Sequence, residues 1–423
     1  MDETAAAAVD ASRIVRDLAA LARIGALAGG GISRPAYGDE ERCARAYITA
    51  ELERAGLAVR MDSAGNLFGR REGRVLDAPA VLSGSHLDTV PRGGRLDGAL
   101  GVVAALEAAR AIGASGVRLD RPIEVMVFAD EEGVRFKNGG LTGSRALIGL
   151  LRADELEVAR DDEGTTLAEA WRRWDLDPRR LGDARIDPHS VHAFVELHIE
   201  QGAVLETAGV SIGVVTGIAA SADLTLRLTG VADHAGATPM TLRHDSLVGA
   251  SELILAVERI ARDEVGPPTV ATIGTLRIEP GASNVIPGEV TLMVDVRHIS
   301  VTERDRAIAR IEEEAAVVGR RRVLRVETVS ISRAEPAEMA PAVVEIIEAS
   351  CRELGLPYLR LPSGAAHDTM NMARIAPVGM IFVPSIAGRS HCPEEDTRLD
   401  DIVAGVRVLV GTLVRLAAGL RAE

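Results

Sequence analysis

Aromatic side chains are scarce in this 423-residue chain, at 2% of the total, which leaves few stacking platforms for bases or sugars. An excess of basic charge is missing too. The formal net charge is -14, the reverse of what a phosphate backbone or an anionic membrane attracts. Cys43, Cys351 and Cys392 are the only cysteines, too few and too scattered for a disulfide framework, which fits a reducing compartment. The first residues show neither the basic nor the apolar region of a signal peptide. No uncharged apolar run is long enough to span a bilayer. The expectation is a cytoplasmic protein with a small-molecule ligand and neither a nucleic-acid nor a membrane partner. Hydrophobic content of 47% and charged content of 26% are ordinary for a globular protein, and the length allows two cores.

Apolar spacing predicts helices over Ala5–Ile24 and Glu40–Ala55, with Gly56 as a stop. Short apolar strands then alternate with helices. Ala80–Ser83 and Ile123–Ala129 read as strands, Ala99–Ile112 as a helix buried all round, and Phe194–Ile199 as a further strand. The pattern changes near Gly217. Strands at Ala222–Thr229, Val270–Ile278, Glu289–His298 and Arg322–Ile331 flank helices at Asp245–Arg262 and Thr302–Val318, a β-α-β-β-α-β unit of the ferredoxin-like type. Beyond it come a helix at Pro341–Leu354, a strand at Gly379–Pro384 and a terminal helix near Leu399–Leu420. The predicted fold is an α/β domain built on a mixed sheet (residues 1–217 and 335–423), interrupted by a smaller α+β domain (218–334).

Polar residues gather where the strands of the larger domain end. His86 and Asp88 follow one strand. Asp97 lies in the glycine-rich turn Gly93-Gly94-Arg95-Leu96-Asp97-Gly98, where glycine lets backbone pack closely behind a ligand. Asp130, Glu131 and Glu132 close another strand. Glu196, His198 and Glu200 alternate along a third, and His391 is placed just before a helix. Imidazole and carboxylate without thiolate is the donor set of a hydrolytic Zn²⁺, Mn²⁺ or Co²⁺ site. Each piece alone has a plainer reading. His-X-Asp is commonly a local hydrogen-bonded pair, Asp-Gly a turn, and a triple carboxylate a solvated loop. The set in this order is what persuades.

The motifs Gly84-Ser85-His86-Leu87-Asp88, Asp97-Gly98, Asp130-Glu131-Glu132-Gly133, His198-Ile199-Glu200-Gln201-Gly202 and Ser390-His391 resemble those of the M20 metallopeptidase superfamily. Within it they resemble the hydantoinase/carbamoylase branch, which includes N-carbamoyl-L-amino-acid hydrolases, allantoate amidohydrolases and β-ureidopropionases. The resemblance runs from about Gly30 to Glu395. It implies two divalent cations per subunit, of Zn, Mn, Co or Ni. His86 and His198 would hold one, Glu132 and His391 the other, with Asp97 bridging. Asp88 would orient His86, and Glu131 would be the general base for a water held between the metals. Histidine at position 198, where many M20 peptidases carry an acid, is similar to the amidase branch.

The same resemblance implies that the smaller domain is a lid that also dimerises. Arg297 would clamp a substrate carboxylate, Asn284 and Gln201 would bind around it, and His234 would polarise the scissile carbonyl. Unaided, Arg297 reads as a surface ion-pair partner, Asn284 as an Asx-turn residue and His234 as a turn histidine. Ser363-Gly364-Ala365-Ala366-His367-Asp368 departs from the branch by Ala366 in place of glycine. His367 reads equally as a substrate contact or a buried structural histidine, and Cys392 as a bystander. The expected function is hydrolysis of the C–N bond of an N-carbamoyl-L-amino acid or a similar small ureide. Allantoate amidohydrolase and β-ureidopropionase are the nearest alternatives. A deacylase or peptidase stands behind them, and a metal-dead binding protein last.

Overall fold

The computed structural model describes residues 2–418, which divide into two compact units. The first runs to Thr216 and resumes over Met339–Leu361 and from His367. The second comprises Gly217–Glu338 and Pro362–Ala366.

The first unit is built on a mixed sheet. Its strands run in the order Ala58–Met61, Leu67–Arg71, Ile123–Phe128, Ala80–His86, Val191–Ile199, Val378–Val383 and Ile212–Ile218. The middle four are mutually parallel, and the flanking pairs are antiparallel. Ala80–His86, Ile123–Phe128 and Val378–Val383 are buried at every position. That is why Val378–Val383 and, apart from Glu124, Ile123–Phe128 read as apolar runs and not as alternation, while Ala80–His86 is apolar over its first three residues: helices cover both faces of a parallel sheet. The helix Ala99–Ser115 is almost wholly buried and stops at the left-handed Gly116.

The second unit carries a four-stranded antiparallel sheet in the order Arg325–Arg333, Ala220–Thr229, Glu289–His298, Val270–Glu279. The helices Ser246–Arg259 and Val301–Arg322 share a core with it through Leu224, Leu226, Leu253, Leu292, Val294 and Ile311.

Several boundaries differ from the sequence reading. The first predicted helix is two, Asp2–Ala7 and Ala11–Arg23, because Asp10 caps the second by accepting from the Ser12 N–H. The last strand of the smaller unit begins at Arg325 and not Arg322, since the preceding helix runs on to Arg322 and ends on the left-handed Val323. Leu420, the predicted end of the terminal helix, lies outside the described residues; the helix spans Leu399–Ala417. The segment 134–190 folds into short helices around Phe136, Trp171 and Trp174.

Candidate metal centre

Ligands of open α/β sheets collect outside the carboxyl ends of parallel strands, and the polar residues do so here. His86 is the last residue of its strand and His198 the penultimate residue of its own. Asp130, Glu131 and Glu132 follow Phe128, and His391 lies in the loop after Val383. Asp97 precedes the helix that begins at Ala99. Gly98 between them has φ +63°, and a Cβ there would stand 2.5 Å from the His86 ring. Glycine is therefore required by both backbone conformation and space.

Asp97 is the hub. Its Oδ1 lies 3.4 Å from His86 Nε2 and 3.2 Å from His198 Nε2. Its Oδ2 lies 3.2 Å from His391 Nε2, which in turn is 3.6 Å from Glu132. Two donor clusters thus share one carboxylate: His86, Asp97 and His198, and Asp97, Glu132 and His391. His86 Nδ1 faces the Asp88 carbonyl at 3.0 Å, and His198 Nδ1 faces the Ile199 carbonyl at 2.9 Å. A carbonyl only accepts, so each Nδ1 carries the proton and each Nε2 presents a lone pair to a carboxylate. That arrangement requires a positive charge between them, from a proton or a cation. Glu132 Oε1 is buried without a hydrogen-bond partner. The donor set and this orphaned oxygen fit divalent cations.

The electrostatics agree. Burial works against protonation of His86, but Glu131, Asp88 and Asp97 outweigh it and hold the ring well above its usual range. Burial would raise Asp97, yet His198, His391 and His86 pull it well below. Burial drives Glu131 well above the carboxylate range despite His86, with Asp368, Glu132 and Asp88 adding to the rise. Glu132 is pushed up to about 7 by burial and by Asp97, while Asp97 lifts His391 to about 9. Carboxylates crowded this closely favour occupation by a cation.

Asp88 does more than face His86 Nδ1 at 3.5 Å. It also accepts the backbone N–H groups of Glu131 and Glu132 at 3.2 and 3.1 Å, so one carboxylate fixes two of the converging segments. Glu131 Oε2 lies 3.7 Å from His86 Nε2. Gln201 donates from Nε2 to Asp97 Oδ2 at 2.8 Å, a contact the sequence did not suggest. His367 is buried, its ring 4.6 Å from that of His198, and burial holds its pKa well below the usual value.

Two placements read from the sequence need correction. Glu200 lies past the strand end and accepts from the Val204 and Leu205 N–H groups, capping a short helix. Glu196 is spent on the hydroxyls of Ser85 and Thr369. His391 does not precede a helix directly. It sits in a turn with φ +56°, and the next helix starts at Leu399. The sequence reading missed Glu395, which is 2% exposed. Its Oε1 accepts from the Leu96 and Asp97 N–H groups, both at 2.9 Å. Its Oε2 accepts from Ser390 Oγ at 3.0 Å and His391 N at 3.3 Å. Its position four residues after His391 was the available signal.

His234, Asn284 and Arg297 belong to the second unit. Ala235 N donates to the Asn284 carbonyl at 2.9 Å, drawing two of these loops together. His234 Nδ1 accepts from the Gly236 and Ala237 N–H groups, which leaves the neutral ring's proton on Nε2 as an exposed donor. Arg297 is already engaged: its fork pairs with Asp295, and Nη1 donates to the Gly364 carbonyl at 2.9 Å.

The model of the peptidase family M20/M25/M40 matches residues 82–415. An N-carbamoyl-L-amino acid amidohydrolase of Geobacillus stearothermophilus is 43% identical, over 97% of this chain and 100% of that protein. A ureidoglycolate hydrolase of Oryza sativa is 38% identical, over 97% of this chain and 85% of that one. The crystal structure of an amidase of the hydantoinase/carbamoylase family from Burkholderia multivorans superposes with a TM-score of 0.91 at 36% identity, covering 97% of this chain and 98% of that one.

Proposed function

Because the chain belongs to the peptidase family M20/M25/M40, and is a hydrolase of non-peptide carbon–nitrogen bonds, we propose that it hydrolyses an N-carbamoyl-L-amino acid. The observation that carries this reading is the convergence of His86, His198 and His391 on the two oxygens of Asp97. N-carbamoyl-L-amino acids are the substrates named for the Geobacillus relative.

His86 and His198 would hold one divalent cation, Glu132 and His391 a second, with Asp97 between. When bound, such cations supply Lewis acidity, polarising the carbonyl and making water a nucleophile at neutral pH. Glu131 takes the proton from the attacking water and returns it to the departing nitrogen. Asp88 keeps Glu131, Glu132 and His86 in register through its three contacts. His234 donates from Nε2 to the developing oxyanion, Arg297 binds the substrate carboxylate, and Asn284, Gln201 and His367 complete the substrate contacts. The products are ammonia, carbon dioxide and the L-amino acid.

The proposal includes a cytoplasmic homodimer joined through the smaller unit, with that unit acting as a lid. Val270–Glu279, the edge strand of the smaller sheet, carries exposed Val270 and Leu276, and such an edge offers unpaired backbone groups to a partner. No described helix is long and apolar enough to cross a membrane.

The test is ammonia release by the chain loaded with Mn²⁺, Co²⁺, Zn²⁺ or Ni²⁺, against N-carbamoyl-L- and D-amino acids, N-carbamoyl-β-alanine, allantoate, ureidoglycolate and N-acetyl-amino acids. Metal-dependent turnover greatest on the N-carbamoyl-L-amino acids supports the proposal. Greater turnover of another ureide, or amine release from the acetyl compounds alone, overturns the substrate.

A further inference from the structure

We propose that Glu395 is a positioning residue that couples the two cation sites, acting as a clamp between the turn carrying Asp97 and the turn carrying His391. This rests on the two-cation reading above.

The segments it joins are far apart in sequence. Leu96 and Asp97 donate their N–H groups to Oε1, and Ser390 and His391 donate to Oε2. Every one of these partners is a candidate ligand or its immediate neighbour. The carboxylate is 2% exposed, so water does not compete for the four bonds. The space is closed as well: a Cβ on Gly94 would fall 2.1 Å from Glu395 Oε1, so the glycine turn before Asp97 is shaped around this side chain. Ser390 Oγ also lies 3.0 Å from Asp97 Oδ2, so its one proton is shared between that oxygen and Glu395 Oε2 and links the clamp to the oxygen that faces His391.

A buried carboxylate this close to Asp97 carries an electrostatic penalty, and burial and Asp97 indeed raise its pKa. Packing alone would be served better by an uncharged residue. A group with acceptors at both ends is needed because the N–H groups of Leu96 and Asp97 face one oxygen and that of His391 faces the other. Glutamine would keep Oε1 for Leu96 and Asp97 but turn an N–H₂ donor towards the His391 N–H. The Asp97 half of the clamp would hold and the His391 half would open. The cation held by Asp97, Glu132 and His391 should then weaken, while the one held by His86, Asp97 and His198 stays.

The experiment is metal titration of wild type, Glu395→Gln and Ser390→Ala by calorimetry, with elemental analysis after gel filtration and melting of each metal-free protein. Wild type should retain two cations per chain. Glu395→Gln should retain one, with affinity for the second reduced roughly 10- to 100-fold, as when residues supporting metal ligands are lost. Ser390→Ala, which removes one donor only, should show a smaller loss at the same site. Two cations bound by Glu395→Gln with wild-type affinity would overturn the clamp, as would a lowered melting temperature with unchanged metal binding. Loss of both cations equally would overturn the selective coupling. Fewer than two cations in wild type would instead overturn the two-cation reading itself.

Discussion

Gln201 donates a hydrogen bond to the Oδ2 oxygen of Asp97 at 2.8 Å, from a backbone held at φ +60°. The left-handed region costs a non-glycine residue about 1–2 kcal/mol, and here it aims the side chain at the hub of the centre. Glycine at this position should relieve the strain and alanine should not. Gln201→Gly is expected to be about 1 kcal/mol more stable to urea than Gln201→Ala, with both losing activity because both lack the amide. Equal stability would show that position 201 is unstrained.

Glu131 is the group expected to move the proton. Glu131→Gln keeps its size and leaves the proposed ligands His86, Asp97, Glu132, His198 and His391 untouched. The variant should retain bound metal while kcat for ammonia release falls by roughly 10²- to 10⁴-fold, the usual contribution of a general acid–base residue. Wild-type turnover with metal retained would remove Glu131 from that role.

How much of this was legible in the sequence depended on range. The strands read as Ala80–Ser83 and Ile123–Ala129, which end at His86 and Phe128, were visible because burial on both faces leaves an apolar run that gives way to polar residues. The residues proposed as ligands stood out because most of their motifs lie at or just beyond strand ends. Asp130, Gln201 and His391 all adopt positive φ, yet none is glycine, so no local signal announced these turns. Tertiary contacts impose them. Glu395 escaped notice for a related reason: its partners Leu96 and Asp97 lie about three hundred residues away. Glu200 misled because strand alternation was extended one turn too far, and its carboxylate caps a helix instead.

Arg45 supports the centre from behind. It is buried, pairs with Glu41 at 2.7 Å, and donates to the carbonyls of Gly65 and Phe128 at 2.7 and 2.6 Å. Phe128 ends the strand that delivers Glu131. Arg45→Met preserves bulk but leaves Glu41 buried without its cation, a loss of about 3–5 kcal/mol. Burial already raises the Glu41 pKa, and removing Arg45 raises it further. A carboxylate with a raised folded pKa costs nothing below its unfolded pKa, costs more as pH rises from there, and costs its full amount above the folded pKa. The deficit measured in urea should therefore be smaller at pH 5 than at pH 8. A deficit independent of pH would mean that lost packing, not the stranded charge, is responsible.

The cysteines offer a test of the fold that is independent of catalysis. Cys43 is exposed, whereas Cys351 is fully buried, and burial, helped by Glu348, pushes its thiol up to about 12. At pH 8 only about 10⁻⁴ of Cys351 would be thiolate, the reactive form. A disulfide reagent should modify Cys43 rapidly, and Cys43→Ser should remove that phase. Cys351 should stay silent until denaturant is added. Rapid reaction of Cys351 in the native protein would contradict its place under the terminal helix.

Arg297 gives the sharpest test of substrate class. Its guanidinium already pairs with Asp295, which holds the fork in place, and Nη1 reaches the Gly364 carbonyl. A substrate carboxylate binding here would add a charge-assisted hydrogen bond, worth about 1.5–3 kcal/mol, or roughly 10- to 100-fold in KM. A carboxamide analogue cannot form that bond. Wild type should prefer the N-carbamoyl amino acid over its carboxamide by this factor. Arg297→Ala should lose the preference by raising KM for the acid alone, with kcat changed much less. Lysine keeps the charge without the fork, so Arg297→Lys should fall between the two. If the variant still prefers the acid as strongly as wild type does, the carboxylate is recognised elsewhere. If both substrates suffer equally in kcat, Arg297 acts on the reaction and not on the carboxylate.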